Sequence, residues 1–140
     1  MLQFRNCRFF GNDLIALCDI LNVDNSLSSI DLRGCHLCDA DFQAIVAALL
    51  TNSSIVKLNF SRNSISDSSI SSLLNLLKTN RVIKTINLSD NLLTFNGVTT
   101  LAEALRENSL VTKIIIGNLC IDQEMKVNLQ RISEGKLLFD

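Results

Sequence analysis

Proline, tryptophan and tyrosine are all absent from this chain of 140 residues. Without proline, tight turns must come from residues that bond their own backbone or reach unusual dihedrals, here Asn, Ser, Asp and a few of the five glycines. Without Trp and Tyr, the chain lacks the side chains that most often anchor an interface. An excess of charge is missing too. The formal net charge is −1, so no overall field gathers nucleic acid or an anionic membrane. No apolar run approaches the about 18 residues of a membrane span, and no basic segment precedes an apolar one at the start. The chain is therefore read as cytoplasmic, with no membrane and no nucleic acid among its partners. Neither G-x-x-x-x-G-K-[ST] nor G-x-G-x-x-G occurs, which removes the usual phosphate cradles.

What is present points to a packed domain. The length suits a single domain covering 1–140, and a hydrophobic fraction of 47% argues against disorder. The five cysteines, without an export signal, read as reduced small hydrophobes rather than a disulfide set. Cys35-x-x-Cys38 with His36 between is half a metal motif, but a structural zinc site needs four ligands and no second pair has this spacing. His36 has no Ser or Cys partner that would make a nucleophilic dyad. Asn52, Asn59 and Asn87 match N-x-[ST] and read as chance matches. No catalytic group, metal or cofactor is assigned, and the expectation is a protein that is not an enzyme.

The informative feature is a repeat. Ile83, Ile86, Leu88, Asn91 and Leu93 are spaced L-x-x-L-x-L-x-x-N-x-L, followed by an amphipathic run with Val98, Leu101 and Leu105 on one face. Ile55, Leu58, Phe60, Asn63 and Ile65 stand 28 residues earlier in the same places, and Leu27, Ile30, Leu32, Cys35 and Leu37 another 28 before that. Leu2, Phe4, Cys7 and Phe9 form a truncated copy, and Val111, Ile114, Ile116 and Ile121 continue the frame forward. A constant period of this size signals a stack of like units. The units run 1–26 (partial), 27–54, 55–82, 83–110 and 111–140, the last a capping unit.

Each unit reads as a short strand, a turn and a helix. Strands are expected at Met1–Arg5, Ser29–Arg33, Lys57–Ser61 and Thr85–Ser89. Asp13 is expected to cap the first helix, the second to begin near Asp39 or Asp41, and Asp67 to cap the third. In the last unit Leu119 falls where Asn63 and Asn91 stood. Deleting one residue would bring Asn118 into that slot with Met125 and Ile132 on the inner face, and this shift is favoured. Leu137, Leu138 and Phe139 are expected to fold over the open end, where a terminal unit needs its own cover.

Period two within L-x-x-L-x-L turns its apolar residues to one face of a strand and the intervening ones to the other. Successive parallel strands require a crossover, which the helix supplies while burying its stripe. At the Asn or Cys slot the chain leaves the sheet, and a buried Asn bonds the orphaned backbone groups from both amide ends. This pattern resembles the ribonuclease-inhibitor-like class of leucine-rich repeats over residues 1 to about 133. The resemblance implies an α/β fold, a right-handed β-α solenoid with the parallel sheet on its concave face and helices on its convex face. It also implies that Cys7, Cys35, Asn63 and Asn91 form a structural ladder.

Proteins of that class typically bind other proteins on the concave sheet, and the resemblance implies the same here. In this register the outward strand positions include Arg5, Asp31, Arg33, Lys57, Asn59, Asn87 and Lys113, with Arg62 on the rim. One acid among several bases makes this face locally basic and suits a protein partner with an acidic surface. The alternative is a regulator of an enzyme, such as a GTPase-activating protein of the same repeat class, with Arg5, Arg33 or Arg62 as its projecting arginine. The first strand has no earlier neighbour; either the chain is a fragment or this is a bare edge. A bare edge invites weak self-association, and a clean monomer in sedimentation at high concentration would remove that option.

Overall fold

The computed structural model describes residues 1–140. Strands β1 (Leu2–Gln3), β2 (Ser29–Asp31), β3 (Lys57–Asn59), β4 (Thr85–Asn87), β5 (Lys113–Ile116) and β6 (Leu137–Phe139) alternate with helices α1 (Asp13–Val23), α2 (Asp39–Leu49), α3 (Ile70–Thr79), α4 (Phe95–Glu107) and α5 (Gln123–Ile132). All six strands are parallel and lie side by side in chain order.

The register follows from the apolar spacing. Leu2, Ile30, Leu58, Ile86, Ile114 and Leu137 pair across the sheet as one row, and all but Leu2 are buried. The next inward row, Leu32, Phe60, Leu88 and Ile116, is equally buried, as are Leu17 and Leu21 of α1, Phe42, Ile45 and Leu49 of α2, Leu73 and Leu77 of α3, and Val98, Leu101 and Leu105 of α4. These side chains form one continuous core of 30 residues. Phe42 meets Phe60 edge to face with ring centroids 5.0 Å apart, the arrangement that ring quadrupoles prefer. Each buried Leu or Ile contributes roughly 1.5–3 kcal/mol relative to exposure. No single one decides the fold; their stacking in register does.

As the chain leaves each strand it turns through a left-handed residue. Asn6, Gly34, Arg62, Asp90 and Asn118 recur at one position of successive units with φ between 53° and 67°. Gly34 is constrained twice, because its φ is +67° and a Cβ there would collide with Asn6 Oδ1. The turn leaves carbonyls without ladder partners, and the next residue supplies the donor. Asn63 Nδ2 donates to Leu32 O (3.0 Å) in the preceding unit and to Phe60 O (2.9 Å) in its own, while its Oδ1 accepts from Leu37 N–H (2.9 Å). Asn91 repeats this with Phe60 O (2.9 Å), Leu88 O (3.0 Å) and Ile65 N–H (3.0 Å). Cys35 reaches Phe4 O with its thiol at 2.6 Å, and burial raises that thiol's pKa. Cys7 holds the same position in the first unit, beside the edge strand β1; it is exposed, and its thiol donates to Arg5 O at 3.5 Å.

A second ladder runs along the opposite turns. Asn80 Nδ2 donates to Leu49 O and Asn52 O, both at 2.8 Å, and Oδ1 accepts from the N–H groups of Val82 (2.8 Å) and Ile83 (3.0 Å). Asn52 does the same with Leu21 O, Asp24 O, Ser54 N–H and Ile55 N–H. Asn108 bonds Leu77 O and the N–H groups of Leu110 and Val111. At the first position Asp24 only accepts, from Ser26 and Leu27 N–H, and the backbone bonds of Leu27 and Ser26 lower its pKa. At the last position Lys136 only donates, with Nζ 2.8 Å from both Leu105 O and Asn108 O. No buried side-chain nitrogen or oxygen is left unpaired.

The last unit differs from the sequence expectation. Ile114 pairs with Ile86, Asn118 holds the left-handed position and α5 begins at Gln123, so the 28-residue frame continues without a deletion. Asn118 bonds Asp90 across the turn instead of entering the ladder slot, and Leu119 fills that slot. Leu129, not Met125, takes the inner position; Met125 is exposed. The shortening comes after α5, where Leu137 pairs with Ile114 only 23 residues on. Leu137–Phe139 cover the end by adding a strand to the sheet.

Two caps also fall one residue off. Asn12 precedes α1, with Asp13 its first helical residue accepting from Phe10 N–H. Ser66 caps a single 3-10 turn (Asp67–Ser69) that leads into α3. Asp67 instead reaches forward, accepting from Thr94 N–H at 2.9 Å at the head of α4. Asp39 does the equivalent for the unit before, accepting from Ser66 N–H (2.8 Å), Ser66 Oγ (2.7 Å) and Ser69 Oγ. Burial alone would raise the Asp39 carboxyl, but the hydroxyls of Ser69 and Ser66 and the Ser66 N–H outweigh it and hold its pKa at about 2.

Two predictions follow from these bonds. Asn80→Ala removes a donor from Leu49 O and Asn52 O and the acceptor of the Val82 and Ile83 N–H groups and should cost about 1–3 kcal/mol, as should Asn91→Ala; a urea midpoint equal to the parent's would contradict the assignment. For Asp39, the unfolded carboxyl titrates near 4 and the folded one at about 2, so the unfolded chain binds more protons between these values. Asp39 thus stabilises the fold above about pH 4, by the order of 1–2 kcal/mol, and this is lost as pH falls towards 2. Asp39→Asn should flatten the acid limb of the stability–pH curve, and an unaltered limb would refute the role.

Candidate functional site

Strand alternation turns three rows of side chains away from the helices. Gln3, Asp31, Asn59, Asn87, Ile115 and Leu138 form the middle row in direct register. Ser29, Lys57, Thr85 and Lys113 form the row at the N-terminal ends of the strands. Arg5, Arg33, Ser61, Ser89 and Gly117 lie at the strand exits, where the carbonyls of the last four accept N–H bonds from the residues leaving the neighbouring strand.

Much of this surface is already committed to the protein's own structure. Asp31 is only 6% exposed; its Oδ2 accepts from Arg5 Nε at 2.6 Å and its Oδ1 from Arg33 N–H at 3.2 Å. Asn59 Oδ1 accepts from the N–H (3.0 Å) and hydroxyl (2.8 Å) of Ser61, and Asn87 Oδ1 accepts from Ser89 N–H (2.9 Å). Asp31, Asn59 and Asn87 of the middle row therefore fix how β2, β3 and β4 end. Ser61 and Ser89 are buried, and Ser89 Oγ donates to the Asp140 carboxylate, for which Gly117 leaves room. On the rim, Arg62 Nε pairs with Asp90 Oδ2 at 3.3 Å.

Among the outward strand positions, Arg33, Lys57 and Lys113 join no ion pair. The structure adds Lys84, one residue before β4, also unpaired and partly exposed. The periodic reading of outward strand positions passes over Lys84, since it precedes the strand; a search for lysine at the strand entries finds it with Lys57 and Lys113. With strands about 4.8 Å apart, Lys57 and Lys113 flank Thr85 at a separation of roughly 10 Å. Lys57 and Lys113 thus stand at the N-terminal margin of the sheet with Lys84 just before it, while the opposite margin carries Arg5–Asp31, Arg62–Asp90 and Ser89–Asp140.

The remaining concavities carry less chemistry. A groove of about 460 Å³ between α3 and α4 sets Lys78 and Arg81 with Glu103 and Glu107, so its charges offset one another. Cys35, His36 and Cys38 share a smaller cleft with Arg8 and Asp41, where Cys38 N–H donates to Asp41 Oδ2 at 2.9 Å in the head of α2. No helix is long and apolar enough to cross a membrane.

No protein-family model matches the chain, and no curated protein does. Solved structures share its fold. One, named Leiomodin-1 Actin-Binding Site 2 (ABS2), superposes with a TM-score of 0.78 at 15% identity, covering 97% of this chain and 80% of that one. Another, the tropomodulin C-terminal domain of Caenorhabditis elegans, gives 0.71 at 18% identity over 91% of this chain and 83% of that one. At these identities the likeness is one of fold.

Proposed function

We propose that the chain is a non-enzymatic protein-binding module of the cytoplasm. In this reading it is a leucine-rich repeat solenoid of the ribonuclease-inhibitor-like class, and the open strand face is its concave surface, which receives a partner with an acidic surface. The observation that carries it is the set of unpaired cations, Arg33, Lys57 and Lys113 with Lys84 beside them, on a face whose acid, Asp31, is already held by Arg5. A cation that meets no acid in its own chain is free to recognise one in another. The 28-residue register supports the repeat class. The leiomodin structure's name describes an actin-binding site, which makes actin the first partner to try. As for a projecting catalytic arginine, Arg5 and Arg62 are held in ion pairs, leaving Arg33 alone.

Affinity capture from a cytosolic extract, with Arg33→Glu/Lys57→Glu as control, tests the reading. A retained protein, actin or another, that is lost from the variant while the urea midpoint stays put is the expected result. Identical retention by both proteins would place binding elsewhere.

A further inference from the structure

We infer that the partner presents an acidic α-helix laid across the strands, seated on the lysines at their N-terminal ends. This deepens the proposed function and rests on its use of the open strand face. Lys57 on β3 and Lys113 on β5 stand in register on either side of Thr85, two strand spacings apart, and Lys84 lies one residue before β4, just outside that row. None of the three takes part in an ion pair. The acid of the neighbouring row, Asp31, is already held by Arg5.

The spacing of these cations selects a helix. Parallel strands repeat about every 4.8 Å, and one helical turn advances about 5.4 Å. Carboxylates at i, i+4 and i+7 of a crossing helix therefore advance nearly one strand per step, and over two strands the mismatch is about 1 Å. An extended peptide repeats its same-face side chains every ~6.7 Å and is out of step by the second strand. It also gains no ladder bonds there, since β3, β4 and β5 are each paired on both sides. A helix of about 16 residues would span the ~24 Å width of the sheet.

A nucleic acid strand would also bring regularly spaced anions. Against it stand the absence of Trp and Tyr for base stacking and a net charge of −1. Acids on the helical side, among them Glu103, Glu107, Asp122 and Glu124, are exposed and repel a long polyanion.

The test uses the whole chain and labelled synthetic probes, followed by fluorescence anisotropy at low salt. One probe is a lactam-bridged helix with Glu confined to an i, i+4, i+7, i+11 stripe, the second a bridged helix of the same composition with its Glu dispersed, and the third the striped sequence broken by proline. A single-stranded oligothymidine is the fourth. The striped helix should bind at least about tenfold tighter than the other three. Lys57→Glu/Lys84→Glu/Lys113→Glu should weaken it by at least about tenfold and instead accept a lysine-striped helix; Lys→Gln at the same sites replaces this variant if its urea midpoint falls.

Equal binding of striped and dispersed or broken peptides, all lost on charge reversal, would overturn the helix while leaving the face as the binding site. Peptide binding indifferent to the reversal would remove the face as well. Tighter binding of the oligonucleotide, or no saturable binding of the striped helix, would also overturn the inference.

Discussion

The structure depends on how two turns per unit dispose of their backbone polar groups. A stack of parallel strands and helices buries its turns between neighbours, where water cannot reach the last carbonyls of a strand or helix. An unpaired buried carbonyl or N–H costs about 1–3 kcal/mol, and a turn of this kind recurs in every unit. One side chain solves the problem on each side of the sheet. An asparagine amide is short, donates from one end and accepts at the other, and so ties its own turn to the carbonyl of the unit beneath. Asn63 and Asn91 do this at the strand exits, and Asn52, Asn80 and Asn108 do it after the helices. The apolar rows supply most of the burial, but these bonds hold each unit against its neighbour.

The end positions show the same logic with other side chains. Where only acceptance is needed, Asp24 replaces the amide; where only donation is needed, Lys136 does, with its ammonium between two carbonyls. Cys35 is the economical version, a thiol that donates to Phe4 O in the preceding unit. Each substitution keeps the half of the amide that has a partner.

How legible this was depends on the strength of the surrounding pattern. The strand rows could be read because Ile30, Leu58, Ile86 and Ile114 sit within a dense apolar motif, and Asn63 and Asn91 because they lie inside that motif. The second ladder is just as periodic, yet Asn52 reads in the bare sequence as a chance N-x-[ST] match, and Asn80 and Asn108 lie in variable turns outside the motif. Aligning Asp24, Asn52, Asn80, Asn108 and Lys136 by the period would have exposed them. Asn118 misled in the opposite sense: an asparagine near the ladder slot suggested a shifted frame, whereas its tolerance of positive φ is what places it. On the open face, residue types located the cations but could not show that Asp31, Asn59 and Asn87 are occupied by their own strand ends. That distinction needs coordinates, and it narrows the candidate surface to Arg33, Lys57, Lys84 and Lys113.

The central claim, that buried amides bolt each unit to the next, is tested most directly by hydrogen exchange of the asparagine side chains followed by NMR. The Nδ2 protons of Asn52, Asn63 and Asn80, all buried and donating to carbonyls of the preceding unit, should exchange as slowly as the backbone amides of β3 and β4. Exchange within the dead time, as for the amide of exposed Asn75, would mean that these bonds are not made and that the units hold together by apolar packing alone.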